Sequence, residues 1–291
     1  MLKKIVLFLS TFVLILFLGT DSSFIVTAQN NDSIEEQLDQ ILDSVDVEDE
    51  NSLEKLVQDL EELSEQITGE GEEQDELRRI IGLIITLLTD PDLFKRAKVA
   101  DILGNLRNDL ATMPLVVSLR HDPHFYVRES SAQALGKVRS TKATLHLIKV
   151  ICRDRSKEVI NHSINSLGFI RDTRALDTLI YILTGNEPGK GKHPYFPFKG
   201  DKCNSFEDFN LIALSNAVLA LGRIQDIEAT PALVQSLNHK SYLIRISSAQ
   251  ALSLVRNTDS LGPLQERLEV ETSVLVKSAI KNAIYNIEAY Q

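Results

Sequence analysis

The chain has 291 residues, enough for more than one structural unit, and carries a net charge of −10. That total conceals an asymmetry: residues 31–76 hold 19 acidic residues against one basic residue, Lys55, whereas residues 77–291 hold 28 basic and 21 acidic. Two cysteines without CxxC spacing exclude a zinc module, and neither a phosphate-cradling glycine loop nor a GxSxG elbow is present, so no motif argues for catalysis.

Lys3 and Lys4 precede an apolar run of 14 residues, Ile5 to Leu18, which is shorter than an ordinary membrane-spanning helix. Val26-Thr27-Ala28 supplies small or modest residues at a cleavage site after Ala28. Residues 1–28 therefore read as a secretory signal, with the mature protein periplasmic or secreted and without a stable membrane span. The other reading is an uncleaved signal that anchors the protein in the inner membrane. No cysteine lies near the site, which excludes a lipoprotein anchor, and export argues against a nucleic-acid partner.

Residues 29–74 read as acidic amphipathic helices and a linker, partly disordered. Ile34, Leu38, Ile41, Leu42 and Val45 have helical spacing, as do Leu53, Leu56, Val57, Leu60, Leu63 and Ile67. Ser33 and Glu36 make a capping box, Asp46 to Asn51 separates the two stripes, and Gly69 is a natural stop. Three roles are open: a solubilising leader, self-association through residues 33–67, or docking on the basic remainder of the chain. Asp43, Asp46, Glu48 and Asp49 lack the glycine and the spacing of a calcium loop, so no metal is expected there.

From residue 75 to 291 the sequence repeats itself about every 32 residues. Ala97 to Leu106, Glu129 to Val138 and Asn161 to Ile170 align without gaps, with Gly104, Gly136 and Gly168 in one column; Gly222 continues it after 22 extra residues. Leu103, Leu135, Leu167, Leu221, Leu252 and Ile284 form an apolar column, and a second helix in each unit carries Leu115, Leu147, Leu179, Leu233 and Leu264. The pattern predicts an all-α solenoid of about six stacked helical hairpins, none able to bury its apolar stripe alone. Asp90-Pro91 and Asp122-Pro123 read as a capping carboxylate before a proline at the first helical position. A cation follows six residues after the acid at Arg96, Arg128 and Lys277, while Ile160 and Leu214 break that rule; Arg245 recurs in the same column. These residues are expected to set the stacking as exposed caps and ion pairs.

The 22 extra residues form an insertion at about 185–207. Prolines and glycines forbid a regular helix there, yet Tyr195, Phe196 and Phe198 cluster with His193 among Lys190, Lys192, Lys199 and Lys202. The segment reads either as a plug where stacking is interrupted or as an aromatic anchor with a basic rim for an acidic protein partner. Cys152 and Cys203 allow one disulfide that tethers this loop; alternatively Cys152 packs as a small apolar residue. His121 and His124 flank Asp122 as helix-end residues, and His146 and His162 have no identifiable nucleophile or acid partner.

The string Asp122 to Gly136 (DPHFYVRESSAQALG) resembles the HEAT-like repeat of phycobilisome lyase subunits: an acid, then Val-Arg, then Ala and Leu-Gly. Ser241 to Ser253 matches more loosely, with Ile244-Arg245 and Ala249 in place and Ser for the Gly. The resemblance covers about 200 residues and implies an armadillo-type superhelix. It implies a non-catalytic scaffold that binds a protein partner and needs no cofactor. Its rival implication is a lyase or maturation subunit acting on a tetrapyrrole-bearing protein, with which export conflicts. Related helical-repeat enzymes bind iron through His-Glu pairs; none of the six histidines is followed by Glu.

Overall fold

The computed structural model describes residues 87–186 and 209–290, together with single helical positions before them (Gln40, Lys55, Asp59, Arg78, Ile81, Gly82, Ile84 and Ile85). The signal region, nearly all of the acidic segment and the centre of the insertion, with Cys203, lie outside the described residues.

Eleven α-helices follow in chain order: α1 Leu93–Leu106, α2 Thr112–His121, α3 Phe125–Val138, α4 Thr144–Arg153, α5 Lys157–Ile170, α6 Leu176–Thr184, α7 Leu211–Ile224, α8 Thr230–Ser236, α9 Tyr242–Val255, α10 Leu261–Val270 and α11 Val274–Glu288. Among the described residues there is no strand. Odd-numbered helices are the long first members of each hairpin, and even-numbered helices are the shorter second members. The described chain holds five complete hairpins and a sixth long helix, α11, with no second helix after it.

The columns predicted from the sequence are the core. Leu103, Leu135, Leu167, Leu221 and Leu252 are completely buried, and so are Leu115, Leu147, Leu179, Leu233 and Leu264. Each buried leucine side chain is worth about 1.5–3 kcal/mol, and the columns merge into one continuous cluster from Ile81 to Ile287. A 3-10 turn ending in Ala111, Ala143, Ala175, Ala229 or Ser260 leads into each second helix, and all five residues are buried.

The repeated glycine sets the distance between long helices. A Cβ on Gly104 would lie 2.7 Å from the Ala134 Cα, and a Cβ on Gly168 would lie 2.7 Å from the Ala220 Cα. Long helices therefore touch their neighbours along their length, while second helices touch one another sparsely. A stack held closer on one side must curve, and the close row lines the inner, concave side. The stack runs directly from α5 to α7, which pack against each other across the position of the insertion.

The caps differ from the sequence expectation. The helices begin two residues later than predicted, and the N-caps are Asp92 and His124. Asp90 and Asp122 instead close Asx turns, accepting from the Asp92 and His124 amides at 2.7 and 2.8 Å. Pro91 and Pro123 therefore lie outside the helices, because the Asx turn uses those residues before the helix starts.

The ion pairs also differ. Arg96 donates its NH1 to the backbone oxygen of Asp90, in its own unit, but its Nε and NH2 grip the carboxylate of Asp122 in the next unit at 2.7 and 3.1 Å. Arg128 does the same with the Asp122 carbonyl and the Asp154 carboxylate, and Arg245 with the His239 carbonyl and the Glu271 carboxylate. These are bidentate pairs between repeats, not pairs within one turn. They are mostly buried: the Arg96 and Asp122 side chains are only 11% and 6% exposed. The Asp122 carboxylate holds the Arg96 guanidinium above its ordinary pKa. Among the described residues, no helix is long and apolar enough to cross a membrane.

Candidate functional site: the inner face and its two edges

The curvature presents one face of every long helix to the inside of the stack. Its floor is built from side chains one repeat apart: Asn105 and Lys137, Asn165 and Arg223, Asn161 and Asn216. Lys137 Nζ donates to Asn105 Oδ1 at 2.8 Å, Arg223 NH1 to Asn165 Oδ1 at 2.7 Å, and Asn216 Nδ2 to the Asn161 carbonyl at 3.2 Å. The Arg223 guanidinium also lies over the Phe169 ring, 4.3 Å from its centroid. His162 Nε2 and Glu129 Oε1 are 3.1 Å apart. Burial pushes the Asp101 carboxyl up against the pull of Lys137. Toward the C-terminal end an open groove of about 410 Å³ is lined by Leu219, Arg223, Gln250, Leu254, Asn282 and Asn286.

One edge of this face is apolar. The first residues of the long helices are Phe94, Phe125, Tyr126, Leu211, Ile212, Tyr242, Leu243, Val274 and Leu275, and all are exposed. Phe94 is 69%, Ile212 59% and Leu275 64% exposed. Phe94 meets Tyr126 edge-on at 6.3 Å. Only α5 departs from the pattern, with Lys157 and Glu158 at these positions. Phe209 and Asn210, where the insertion rejoins the stack, directly precede Leu211 at this edge.

The opposite edge is basic. Each long helix from α1 to α9 ends on a left-handed residue: Arg107, Arg139, Arg171, Gln225 and Arg256, with φ between 51° and 62°. Glycine or asparagine usually fills such a C-cap, because a larger side chain is strained there. Arginine fills four of the five, where its charge also complements the helix dipole. Arg107, Arg139 and Arg171 are exposed, and among the described residues none of them forms a salt bridge. Burial, and then the nearby charge of Arg171, lower the Arg223 pKa. The neighbouring acids Asp109 and Asp172 are already engaged by Lys142 and Arg174.

Of the residues singled out from the sequence, Asp90, Arg96, Asp122, Arg128 and Arg245 form the inter-repeat ladder, and Gly104, Gly136, Gly168 and Gly222 the close-approach column; neither set faces the groove. His193, Tyr195, Phe196, Phe198, Lys190, Lys192, Lys199 and Lys202 lie outside the described residues. Cys152 is 1% exposed and is disulfide-bonded; Cys203 is the other cysteine of the chain. Among the described residues no three His, Cys, Asp or Glu side chains are grouped to hold a metal. The sequence reading missed both edges of the inner face. The apolar edge could have been found as Phe94, Tyr126, Ile212, Leu243 and Leu275 recurring in one register, and the basic edge as Arg one residue after the last core position in four of five units.

A family model for HEAT repeats matches residues 112–189 and 206–284, just over half of the chain. No curated protein matches it. Among solved structures, the chain is similar to the complex of CpcE and CpcF of phycocyanin lyase from Nostoc sp. PCC7120, with 23% identity, 68% of this chain and 74% of that chain covered, and a TM-score of 0.48. It is also similar to a designed armadillo repeat protein, with 17% identity, 70% and 98% covered and a TM-score of 0.46. Human deoxyhypusine hydroxylase aligns at 16% identity over 90% of this chain and 100% of that one, with a TM-score of 0.32.

Proposed function

We propose that this chain, which belongs to the HEAT-repeat family, is an exported, non-catalytic scaffold that holds a protein partner on its inner face and on the insertion at 185–207. The observation that carries this reading is the apolar edge. Soluble monomers seldom leave a row of large apolar side chains in water unless another surface covers it. Here the row recurs in five of the six long helices, beside a floor rich in amide donors and acceptors. Apolar anchors flanked by polar groups are the composition of a protein-binding surface. The lysines and aromatic residues of the insertion would extend that surface next to Leu211 and Ile212. A disulfide between Cys152 and Cys203 would tie the insertion to the end of α4.

Crosslinked recovery from the cell envelope tests the proposal. The full protein is compared with a chain whose 185–207 segment is a short glycine-serine link, and with Ile212→Ser/Leu243→Ser/Leu275→Ser. Both variants should lose the partner; equal recovery by all three proteins refutes the reading. The rival, a maturation subunit for a tetrapyrrole-bearing protein, requires a cytoplasmic product that retains Met1 and binds bilin on mixing.

A further inference from the structure

Resting on the scaffold reading, we infer that the basic edge of α1, α3 and α5 is the docking site of the chain's own acidic segment, residues 33–67, which competes there with the partner for the inner face.

The argument begins with uncompensated charge. Arg107, Arg139 and Arg171 stand one repeat apart on one edge. With helix axes about 8–10 Å apart, they form a row about 20 Å long. Each occupies a left-handed backbone conformation that is strained for a non-glycine residue, and none forms a salt bridge among the described residues. Lys137 and Arg223, just inside the row, have neutral amide partners in Asn105 and Asn165. The inner face of α1, α3 and α5 offers only Asp101, Glu129 and Glu158 against these cations and Lys98, and Glu129 is next to His162.

The occupant follows from charge and reach. Residues 31–76 carry 19 acidic residues and one basic residue, the complement of this edge. The apolar stripe Leu53, Leu56, Leu60, Leu63 has the periodicity to face Phe94 and Tyr126 across the groove while carboxylates of the same segment face the arginines. The segment also joins the stack at the correct end. Ten residues, 68–77, separate Ile67 from Arg78, a helical position just ahead of the buried Ile81, and ten residues span up to about 33 Å, more than the row's length. An intramolecular ligand of this kind has an effective concentration in the millimolar range, so modest charge pairing suffices to hold it.

Carbodiimide crosslinking of the full mature chain reads the contact directly, because it joins only carboxylates and amines already touching. At low ionic strength, peptide mapping of the monomer band should show Lys98 and Lys137 linked to carboxylates between Glu35 and Glu65. The yield should fall about tenfold in 1 M salt, where the Debye length shrinks to about 3 Å. The full-length variant Arg107→Glu/Arg139→Glu/Arg171→Glu should lose those links while keeping the wild-type circular dichroism. Neutralising the leader in the full chain (Glu54→Gln/Asp59→Asn/Glu61→Gln/Glu62→Gln/Glu65→Gln) should let a labelled peptide of residues 33–67 bind in trans at least tenfold more tightly than to wild type. Absence of the links, or links confined to a dimer band, overturns the inference; the dimer result would assign the groove to a second copy. A missing link with partner recovery intact removes this inference alone. A present link with no partner recovered removes the scaffold reading and leaves the docking.

Discussion

Replacing Gly222 with Ala tests one of the close backbone approaches in the stack. A Cβ there would lie 2.7 Å from the Ala251 Cα and 2.8 Å from its Cβ. Carbon atoms pack best at about 3.5–4.0 Å, so α7 and α9 must part by about 0.8 Å or more. One obstacle is backbone, which no rotamer change can move. Overpacking of this kind costs about 1–3 kcal/mol, while Ala in place of a mid-helix Gly returns about 0.5–1 kcal/mol. The net expectation is a loss of about 1.5 kcal/mol, a fall in melting temperature of about 3–6 °C at this chain size. The internal control is Ser253, which occupies the same column one repeat later and already carries a Cβ. Ser253→Ala removes only an exposed hydrogen bond from Asn286, and should change stability by less than about 0.5 kcal/mol. Thermal melts followed by circular dichroism compare the two variants with wild type. If Gly222→Ala melts at or above the wild-type temperature, helix spacing is not set by the glycine column and the account of the curvature fails with it.

Glu271 provides a pH test. Its side chain is fully buried and accepts from Arg245, from Arg267 at 2.7 Å, and from the Thr272 and Ser273 amides. The Arg245 hydrogen bonds, foremost, hold its carboxyl far below the usual range despite burial. The contribution is therefore complete above the unfolded value, near 4.5, and is lost as pH falls below it toward the folded value. Glu271→Gln should cost about 3 kcal/mol at pH 7 and flatten the urea midpoint between pH 5 and about 3; parallel pH profiles for variant and wild type would contradict the burial of this charge. Ser131 and Ser163 should respond in opposite directions. Ser131 Oγ donates to Val127 O and accepts from the Ser118 hydroxyl, both at 2.8 Å, whereas Ser163 Oγ is buried without a hydrogen bond and Val150 fills the position homologous to Ser118. Ser131→Ala should destabilise by about 1 kcal/mol and Ser163→Ala should stabilise by a similar amount; chemical denaturation resolves both, and a loss in each would refute the assignment. Arg128→Met should weaken the α3–α5 junction by several kcal/mol, because the Asp154 carboxylate would lose its bidentate partner; a melting temperature within 1 °C of wild type would show the pair to be solvent-screened.

The core was legible because burial forces a period. Leu135 and Leu147 can be nothing but interior once the 32-residue repeat is seen, and the glycine column follows from the same alignment. Long-range partners were less accessible. Arg96 and Asp90 lie six apart in sequence, so an in-turn pair was the natural reading; only the stacking brings Asp122, 26 residues on, to the guanidinium. The caps shifted by two residues because an Asx turn and an N-cap use the same residue types, and Asp90 and Asp92 are both Asp. The inner face was missed for a related reason: Asn105, Asn165 and Asn216 are polar residues on exposed helical positions, and sequence does not say which exposed side is concave. The expected site at 190–202 lies outside the described residues.

The carboxylate–guanidinium rungs join the first three long helices and recur once more at Arg245 and Glu271. Between those stretches the same columns hold Ile160, Leu214 and His239, so among the described residues the span carrying the insertion is joined by oil, close contact and bonds to neutral acceptors, Asn216 to Asn161 and Arg223 to Asn165. Acid or strong brine would slacken the two ends of the rod while sparing its waist, and a pulling force would find its most salt-indifferent joint beside the loop.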